Sequence, residues 1–166
     1  MTIDALLEKQ SMAQIIACSQ ENRHCFKEIW QPWLKQVSGR DPEPEDIEAI
    51  SNPEAFYIAK GGMVYFAKHN HNVVGCVAIK KLNDNFYEFC KLVVTEDARG
   101  LGIGKQLVEA CIAFAQQKKA TQLVLQTFKL SALAIEMYRR MGFKEITPPP
   151  AMSRLARTEI IMGLKL

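Results

Sequence analysis

A glycine-rich turn between an apolar strand and an amphipathic helix is the feature that most restricts how this chain can fold. The segment Arg99-Gly100-Leu101-Gly102-Ile103-Gly104 follows the strand pattern Phe86 to Val94 and precedes apolar residues at helical spacing. Glycines let the backbone turn back so that successive N–H groups point at one spot, with the positive end of the helix behind them. Such a turn predicts an anion site, best suited to a phosphate or pyrophosphate.

The spacing within the turn narrows the kind of anion. A phosphate loop of the form GxxxxGK[ST] would need glycine at position 99 and Ser or Thr at position 106, where the chain has Arg99 and Gln106. A dinucleotide fingerprint, GxGxxG, that starts at Gly100 or Gly102 misplaces its third glycine. On these residues alone, a glycine-rich turn without a ligand stays open as the alternative.

The remaining patterns predict an α/β chain. Helical spacing predicts a first helix over Asn22 to Val37, with a kink or a break at Pro32, and a second helix that begins at residues 41–44 and runs through Ile50. The predicted strands are Gln14 to Ser19, Met63 to Lys68, Val73 to Lys80, Phe86 to Val94, Gln122 to Thr127, Phe143 to Ile146 and Thr158 to Lys165, and the later helices are Gly102 to Lys119 and Ser131 to Met141. This order predicts a mixed sheet with helices on both faces.

Composition and charge exclude several classes of protein. The 166 residues, of which 48% are hydrophobic and 23% charged, are typical of one folded domain spanning 1–166. A net charge of +3 is too weak to predict nucleic-acid binding, and no apolar run reaches the roughly 18 residues of a membrane span. Five cysteines without CxxC spacing, and a start that lacks a secretory signal, favour reduced thiols, no metal site and a cytoplasmic location.

Two blocks of the sequence resemble the GNAT superfamily of N-acetyltransferases. The family's cofactor motif, [QR]-x-x-G-x-[GA] after an apolar strand, is matched by Arg99, Gly102 and Gly104. Residues 134–143, AIEMYRRMGF, are similar to the family's A-x-x-x-Y-x-x-x-G-F, and the two blocks stand in the family's order and separation. The resemblance covers most of the chain. It implies a GNAT-like, mostly antiparallel sheet of about seven strands and acetyl-CoA as the co-substrate.

The resemblance also assigns cofactor-binding residues. The amides of the glycine turn would hold the pyrophosphate of acetyl-CoA, and the end of the preceding strand would offer backbone groups to pantetheine. Ser131 stands where many members of the family carry an Asn that contacts the cofactor. The implied cofactor-binding residues are Leu92, Val93, Val94, Arg99, Gly100, Leu101, Gly102, Ile103, Gly104, Lys105 and Ser131.

Glu88 and Tyr138 are the candidate catalytic residues. A primary amine, with a pKa of about 10.4, is almost fully protonated at neutral pH, so a base must take its proton. Glu88 is a carboxylate in an otherwise apolar strand, expected on one face with Cys90, Leu92 and Val94, and it aligns with a Glu often seen in the family. Tyr138 matches the family's tyrosine acid, which would donate to the departing CoA thiolate. The alternatives are a solvated Glu88 and a Tyr138 that only packs in the core.

The acceptor site is expected where members of the family bind their amines. Those regions correspond to Trp30, Trp33, the turn Asn83-Asp84-Asn85 and the segment Pro148 to Arg157. Either Arg154 or Arg157 is a candidate contact for a carboxylate on the acceptor, because Arg binds carboxylates bidentately. His24 opens the first helix and is either a residue on the acceptor side or an ordinary surface residue.

The function that the resemblance implies is transfer of an acetyl group from acetyl-CoA to a primary amine of a small molecule, by direct attack on the thioester. One alternative is acetylation of a protein N-terminus or lysine. The other is a non-catalytic acyl-CoA-binding module, against which the joint presence of Glu88 and Tyr138 argues. Many members of the family pair through sheet or helix edges, so a homodimer also stays open.

Overall fold

Seven strands form one sheet in the computed structural model of the chain, which describes residues 2–4 and 12–166. The strands are β1 (Gln14–Ala17), β2 (Met63–His69), β3 (Asn72–Lys81), β4 (Phe86–Val94), β5 (Gln122–Thr127), β6 (Lys144–Glu145) and β7 (Ile160–Lys165). Their order across the sheet is β1-β2-β3-β4-β5-β7-β6, and only β4 and β5 pair in parallel among the neighbours described. The expected mixed, mostly antiparallel sheet of seven strands is confirmed.

Helices cover both faces of this sheet, as predicted. Within residues 12–166 they are α1 (His24–Ser38), α2 (Pro44–Ser51), α3 (Ile103–Gln117) and α4 (Ala132–Arg140), and a π-helical turn (Glu54–Ile58) precedes β2. Buried Trp30 and Ile50 belong to the layer of α1 and α2 on one face, and buried Leu107 and Ile135 belong to the layer of α3 and α4 on the other. The two layers give the sheet two apolar cores.

Helix α1 continues through Pro32, so of the expected kink or break at this residue, a break is wrong. Proline cannot donate a backbone hydrogen bond to the preceding turn. However, Phe26, Trp30 and Leu34 lie on both sides of Pro32 and are almost fully buried. We attribute the continuous helix to this packing, because burying three large side chains along one stripe outweighs the loss of one hydrogen bond.

Helix α2 begins at a reciprocal cap. The Glu43 side chain accepts a hydrogen bond from the backbone of Asp46, and Asp46 Oδ2 accepts one from the backbone N–H of Glu43 at 3.0 Å. Pro44 occupies the first helical position, where a missing N–H costs nothing. The cap fixes Asp46 at the start of the helix with both carboxylate oxygens turned toward the protein interior, since only 1% of this residue is exposed.

Strand β4 carries a bulge at its centre. Ala78 of β3 pairs with Cys90 but Cys76 pairs with Val93, so two residues of β4 oppose one of β3. Lys91 lies within the bulge and has a φ of 57°, a left-handed conformation that costs a non-glycine residue about 1 kcal/mol. One extra residue in a strand moves every later side chain to the opposite face of the sheet.

The bulge corrects one expectation about Glu88. Glu88 and Cys90 precede the bulge and face the layer of α1 and α2. Leu92 and Val94 follow the bulge and pack in the core of α3 and α4, on the other side of the sheet. The expectation that Glu88 shares a face with Cys90 is confirmed, but the expectation that it shares one with Leu92 and Val94 is wrong, because the extra residue inverts the alternation.

Strands β4 and β5 separate beyond their first residues. Their parallel pairing covers only Phe86 to Glu88 on β4 and Gln122 to Val124 on β5. From Cys90 onward β4 pairs only with β3 among the described strands, so the backbone of its second half is open on the β5 side. The three cavities described below lie along this gap in the sheet.

Candidate active site

Three cavities lie side by side along the gap. The outer cleft, of about 580 Å³, lies between the end of β4, the glycine turn and the start of α4. The chamber, of about 100 Å³, lies deeper in the gap and shares with the outer cleft Trp33, Leu92, Ser131 and Ala134. The inner cavity, of about 30 Å³, lies behind the chamber and shares with it Cys90, Lys91, Gln126 and Leu155.

The outer cleft brings together nearly all of the residues that the sequence suggests for cofactor binding. Those that line it are Leu92, Val93, Val94, Arg99, Gly100, Gly102, Ile103, Gly104, Lys105 and Ser131. Leu101 is the exception, because its side chain is exposed at the turn and does not line the cleft. Ser131 precedes α4 without a side-chain capping hydrogen bond, and it borders both the outer cleft and the chamber.

The glycine turn presents free backbone donors at the start of α3. Gly100 and Gly102 have φ values of 81° and 76°, which glycine adopts without strain. In the described part of the chain, no hydrogen bond occupies the N–H groups of Ile103, Gly104 and Lys105, the first turn of α3. These donors and the positive end of the helix fit an anionic phosphate group.

Gly104 keeps the outer cleft open. A Cβ atom built on Gly104 would lie 3.7 Å from Met137 Sδ and 3.8 Å from Val94 Cγ2, both of which belong to residues that line the cleft. Any larger side chain would therefore extend into the cleft itself. The glycine turn fits the coenzyme expected from the sequence. It supplies backbone N–H groups beside a space in the cleft that only glycine at position 104 leaves empty.

Two basic side chains flank the turn. Arg99 Nε donates to the carbonyl oxygen of Val94 at 3.2 Å, which ties its side chain back to β4. Lys105 Nζ is 3.9 Å from Glu109 Oε1 and its side chain is largely exposed. The anion donors of this turn are therefore mainly backbone groups, with the two cations at its edges.

Glu88 is buried at the wall of the inner cavity, with 5% of its surface exposed. Its Oε2 accepts a hydrogen bond from Gln126 Nε2 at 2.9 Å. Burial raises the pKa of the Glu88 carboxyl, and it outweighs the lowering effects of the Gln126 hydrogen bond and of nearby Lys80 and Lys91. The alternative of a solvated Glu88 is wrong. A buried carboxylate with a raised pKa is a stronger base than a solvated one.

Tyr138 both packs in the core and borders the chamber. Its ring meets Phe89 edge-on at 5.5 Å and Phe143 at 6.0 Å between centroids. Burial raises the pKa of the Tyr138 hydroxyl, so the group stays protonated at neutral pH. Within residues 12–166 that hydroxyl has no hydrogen-bond partner, and it is therefore available as a donor to a ligand in the chamber.

Asp46 anchors a cluster of charges of which only Arg157 was a candidate site residue from the sequence. Lys91 Nζ donates to Asp46 Oδ1 at 2.8 Å, and the two terminal nitrogens of Arg157 donate to Oδ2 and Oδ1 at 2.7 and 3.0 Å. Arg157 also donates to Glu43 Oε2 at 2.8 Å. Burial would raise the pKa of Asp46, but the hydrogen bonds and charges of Arg157 and Lys91 outweigh it and lower the pKa to about 2.

The aromatic ring of Trp30 lies against both cations of this cluster. Lys91 Nζ is 4.5 Å from the ring centroid and Arg157 Cζ is 5.6 Å from it. Cations at these distances are attracted by the ring quadrupole. In the sequence, Asp46 is an ordinary acid in the first turn of a helix, and nothing local marks it as the partner of residues 45 and 111 positions away.

Gln126 joins Glu88 to the segment between α4 and β7. Its Nε2 also donates to the carbonyl oxygen of Ser153 at 2.9 Å, and its Oε1 accepts from the N–H of Leu155 at 2.9 Å and from the Thr158 hydroxyl. All four hydrogen-bonding positions of the amide are therefore in use. Gln126 lies in β5 and Glu88 in β4, so their contact depends on the order of the strands in the sheet, which the sequence alone does not give.

The acceptor regions expected from the sequence are only partly assembled. Trp30 and Trp33 line the chamber. Two residues of the segment 148–157, Leu155 and Arg157, line it as well. The turn at residues 83–85 borders none of the described cavities, because it precedes β4 and so lies at the end of that strand opposite the gap.

Arg154 and His24 also lie outside the cavities described. Arg154 donates to the backbone oxygen of Thr158 at 3.1 Å, so its contact is internal. His24 is exposed at the first residue of α1. Its position agrees with the surface alternative, since the residues of α1 that border the cavities are Trp30, Trp33 and Val37.

Metal and thiol chemistry have little support in the described residues. The one group there that could hold a metal ion is His24, Cys25 and Glu28, whose ligand atoms lie within 4.8 Å of one another. This group occupies the first turn of α1, where the positive end of a helix disfavours a cation. All five cysteines are free, and burial raises the pKa of every one of these thiols, which lowers the fraction of reactive thiolate. No helix within the described ranges is both long and apolar enough to cross a bilayer.

The chain is similar to known acetyltransferases in sequence and in fold. An uncharacterized N-acetyltransferase of Schizosaccharomyces pombe is 28% identical over 126 residues, which are 74% of this chain and 77% of that protein. The chain spans about half the length of other curated relatives, the mouse and rat N-acetyltransferase 8F1 among them.

Two solved structures share the fold. An acetyltransferase of the GNAT family from Staphylococcus aureus superposes with a TM-score of 0.85 at 24% identity, covering 92% of this chain and 98% of that one. The PaiA N-acetyltransferase of Thermoplasma acidophilum, solved in complex with coenzyme A, superposes with a TM-score of 0.71 at 16% identity, covering 93% and 99%. The model of the acetyltransferase (GNAT) family matches residues 20–143, and the chain belongs to that family.

Proposed function

We propose that this protein transfers the acetyl group of acetyl-CoA to a primary amine of a small molecule. Membership of the GNAT family supports acetyl transfer from acetyl-CoA. One observation carries the proposal further: the outer cleft, with its free backbone donors, adjoins a chamber of only about 100 Å³ that Tyr138 lines. A chamber of this size favours a small amine over a folded protein surface.

Acetyl-CoA, when bound, supplies an activated acetyl group and a thiolate leaving group. The N–H groups of Ile103, Gly104 and Lys105 are suited to its pyrophosphate, because they are free and lie at the positive end of α3. The backbone of Leu92 to Val94 is suited to pantetheine, since its β5 side lacks a strand partner. Ser131 borders the passage from the outer cleft to the chamber, which supports a contact near the reactive end.

In this proposal, Glu88 takes the proton of the acceptor amine. The carboxylate borders the inner cavity, which adjoins the chamber through Cys90, Lys91 and Gln126. The inner cavity of about 30 Å³ exceeds the roughly 10–15 Å³ that one water needs, and polar groups surround it. A single water there would link the amine to Glu88, which supports proton transfer through water.

Tyr138 is the proposed donor to the departing sulfur. Replacing it with phenylalanine is expected to lower kcat by about 10²-fold or more, because the chamber loses its protonated hydroxyl while the ring still packs on Phe89 and Phe143. The KM for acetyl-CoA and the melting temperature should stay close to the wild-type values. Steady-state assays of thiol release measure kcat and KM. Tyr87→Phe, another buried tyrosine of the same core, is the matched control, and an unchanged kcat in Tyr138→Phe would remove Tyr138 from the mechanism.

A thermal-shift titration tests the coenzyme site first. At a hundred times its Kd, a ligand stabilises the folded state by about 2.7 kcal/mol, so acetyl-CoA and CoA should raise the melting temperature while ATP and NAD should not. Gly104→Val should abolish this shift, because its side chain would fill the slot beside Met137 and Val94. No shift with either CoA species would contradict the coenzyme site.

The class of acceptor is tested with a panel of small amines, peptides with free N-termini and lysine peptides, assayed by thiol release. Faster turnover of small amines is expected from the size of the chamber. Faster turnover of peptides would favour the second candidate, a protein acetyltransferase. Binding of CoA species without turnover of any amine would favour a binding module.

A further inference from the structure

Two cationic side chains line the chamber. Among the described residues, the charged side chains that line it are Lys91 and Arg157, and both are cationic. The carboxylates of Asp46 and Glu88 border the inner cavity instead. Asp46 and Glu43, the carboxylates that pair with these cations, do not line the chamber, so a ligand there borders the cationic side of the ion pairs.

The two cations have more hydrogen-bond donors than Asp46 and Glu43 accept. Asp46 is saturated, since its two oxygens accept from Lys91, from Arg157 twice and from the backbone N–H of Glu43. Lys91 has three N–H donors and uses one on Asp46, and Arg157 has five and uses three on Asp46 and Glu43. Both cations therefore keep donors that no described residue accepts.

Burial makes these spare donors significant. The side chains of Lys91 and Arg157 are only 6% and 12% exposed, so bulk water reaches them poorly. A hydrogen bond from a charged donor to a ligand is stronger where bulk water competes poorly for that donor. Because both donors are cationic and both residues border the chamber, the ligand group that fits them is an anion.

The backbone of Lys91 supports a binding role as well. Its left-handed φ of 57° is strained for lysine, and the bulge that imposes this conformation also brings the side chain to the boundary between chamber and inner cavity. Strain of this kind persists where the surrounding structure holds it, and such positions cluster at ligand sites. A regular strand would give this position no such conformation.

We propose that Lys91 and Arg157 form a carboxylate-binding subsite, and that the acceptor is a small amine that bears a carboxylate. Asp46 holds the two cations in place, and Trp30 supports them from one side. The chamber of about 100 Å³ must hold the amine as well as the anion, which favours a compact carboxylate over a phosphate ester. The inference rests on the proposed acetyltransferase function and adds the substrate class.

Matched triples of acceptors test the subsite in the wild-type protein. Each triple contains a small amino acid, the amide of that amino acid and the amine that remains after decarboxylation. The amino acid should have a kcat/KM about 10-fold or more above both analogues, because a charge-assisted pair of hydrogen bonds contributes on that scale. Equal or better turnover of the amides and the decarboxylated amines would overturn the subsite and leave the acetyltransferase function intact.

A binding measurement separates the subsite from catalysis. In protein saturated with CoA, titration calorimetry should detect the amino acids and give at least about 10-fold weaker binding for the decarboxylated amines. If CoA binds and the amino acids bind but no acceptor is acetylated, the subsite stands and the proposed function fails. If no carboxylate-bearing amine binds better than its decarboxylated analogue, the subsite is refuted whatever the turnover.

Lys91→Met provides the test by mutation. Methionine keeps much of the length of the side chain and removes its charge, and the carboxylate of Asp46 still has Arg157 as a partner. The preference for the amino acid over the decarboxylated amine should fall by about 10-fold through KM. Lys118→Met is the matched control, since Lys118 lies over the ring of Phe114, remote from the chamber. An unchanged preference in Lys91→Met would exclude Lys91, and the wild-type triples decide the subsite if the variant does not fold.

Discussion

Glu88→Gln is expected to lower kcat by about 10²- to 10⁴-fold, the range that general acid–base groups contribute. Glutamine has nearly the shape of glutamate and can still accept the hydrogen bond from Gln126, but it takes no proton from an amine. The thermal shift with CoA should equal that of the wild type, because Glu88 borders the inner cavity and not the outer cleft. Steady-state kinetics and thermal-shift titration measure the two effects.

The pH dependence identifies Glu88 more specifically than the loss of rate. The base must be ionised, and burial raises the pKa of Glu88 above its ordinary value of 4.5. The kcat/KM of the wild type should therefore fall as the pH drops through that raised value, at a higher pH than for a solvated carboxylate. This limb should be absent from the residual activity of Glu88→Gln. An acid limb that persists in the variant would assign the base to another group.

Stability provides the control for the Glu88 experiment. A carboxyl whose pKa is higher in the folded state than in the unfolded state stabilises the fold when protonated, and this contribution is lost as the pH rises from 4.5 through the raised pKa. Glu88→Gln should therefore be at least as stable as the wild type at neutral pH, so lost activity cannot be ascribed to unfolding. Glu48→Gln, an exposed glutamate of α2, should change neither activity nor stability.

Asp46→Ala is expected to lower the free energy of unfolding by about 3–5 kcal/mol, as breaking a buried ion pair does. The substitution leaves Lys91 and Arg157 as buried cations without their shared carboxylate. Urea denaturation followed by circular dichroism measures the change. Asp41→Ala is the matched control, because Asp41 pairs with Lys35 at an exposed site where a salt bridge contributes about 1 kcal/mol at most. A loss no larger than that of Asp41→Ala would contradict the central role of Asp46.

The same cluster predicts how acid destabilises the protein. The pKa of Asp46 is about 2 in the folded state against 3.8 for a free aspartate, because the donors of Arg157 and Lys91 outweigh its burial. A lowered pKa stabilises the folded state above pH 3.8, and the contribution is lost as the pH falls toward 2. Its size is about 2 kcal/mol, at 1.36 kcal/mol per pKa unit. In Asp46→Ala this part of the acid transition should be missing, which denaturation curves at several pH values would reveal.

The cluster has a second consequence for the site. Asp46 does not line the outer cleft, yet it holds the two cations that border the chamber. Its replacement should therefore weaken the binding of the acceptor without affecting that of CoA. In this respect it differs from Glu88, whose replacement should lower the rate of the reaction.

The sequence by itself determined the order of the elements and the location of the glycine turn that we propose as the coenzyme site. The patterns give β4 and β5 their observed bounds, and the spacing of Arg99, Gly102 and Gly104 places the turn at the start of α3. These features are local, because a strand, a turn and a helix start each depend on residues within about ten positions of one another. For the same reason, the sequence singled out Glu88, a carboxylate inside an apolar strand.

Only the tertiary structure decided which side chains meet in the site. The bulge at Lys91 depends on pairing with β3, and it alone moved Leu92 to the other face from Glu88. The ion pair of Arg157 with Asp46 joins residues 111 positions apart, and the amide of Gln126 reaches Glu88 across strands whose order no local pattern specifies. Local spacing fixes backbone conformation, whereas partners across the sheet are selected by the packing of both apolar cores at once. For that reason Arg157 was a candidate from the sequence, but its pairing with Asp46 and its place beside Lys91 at the chamber emerged only from the folded chain.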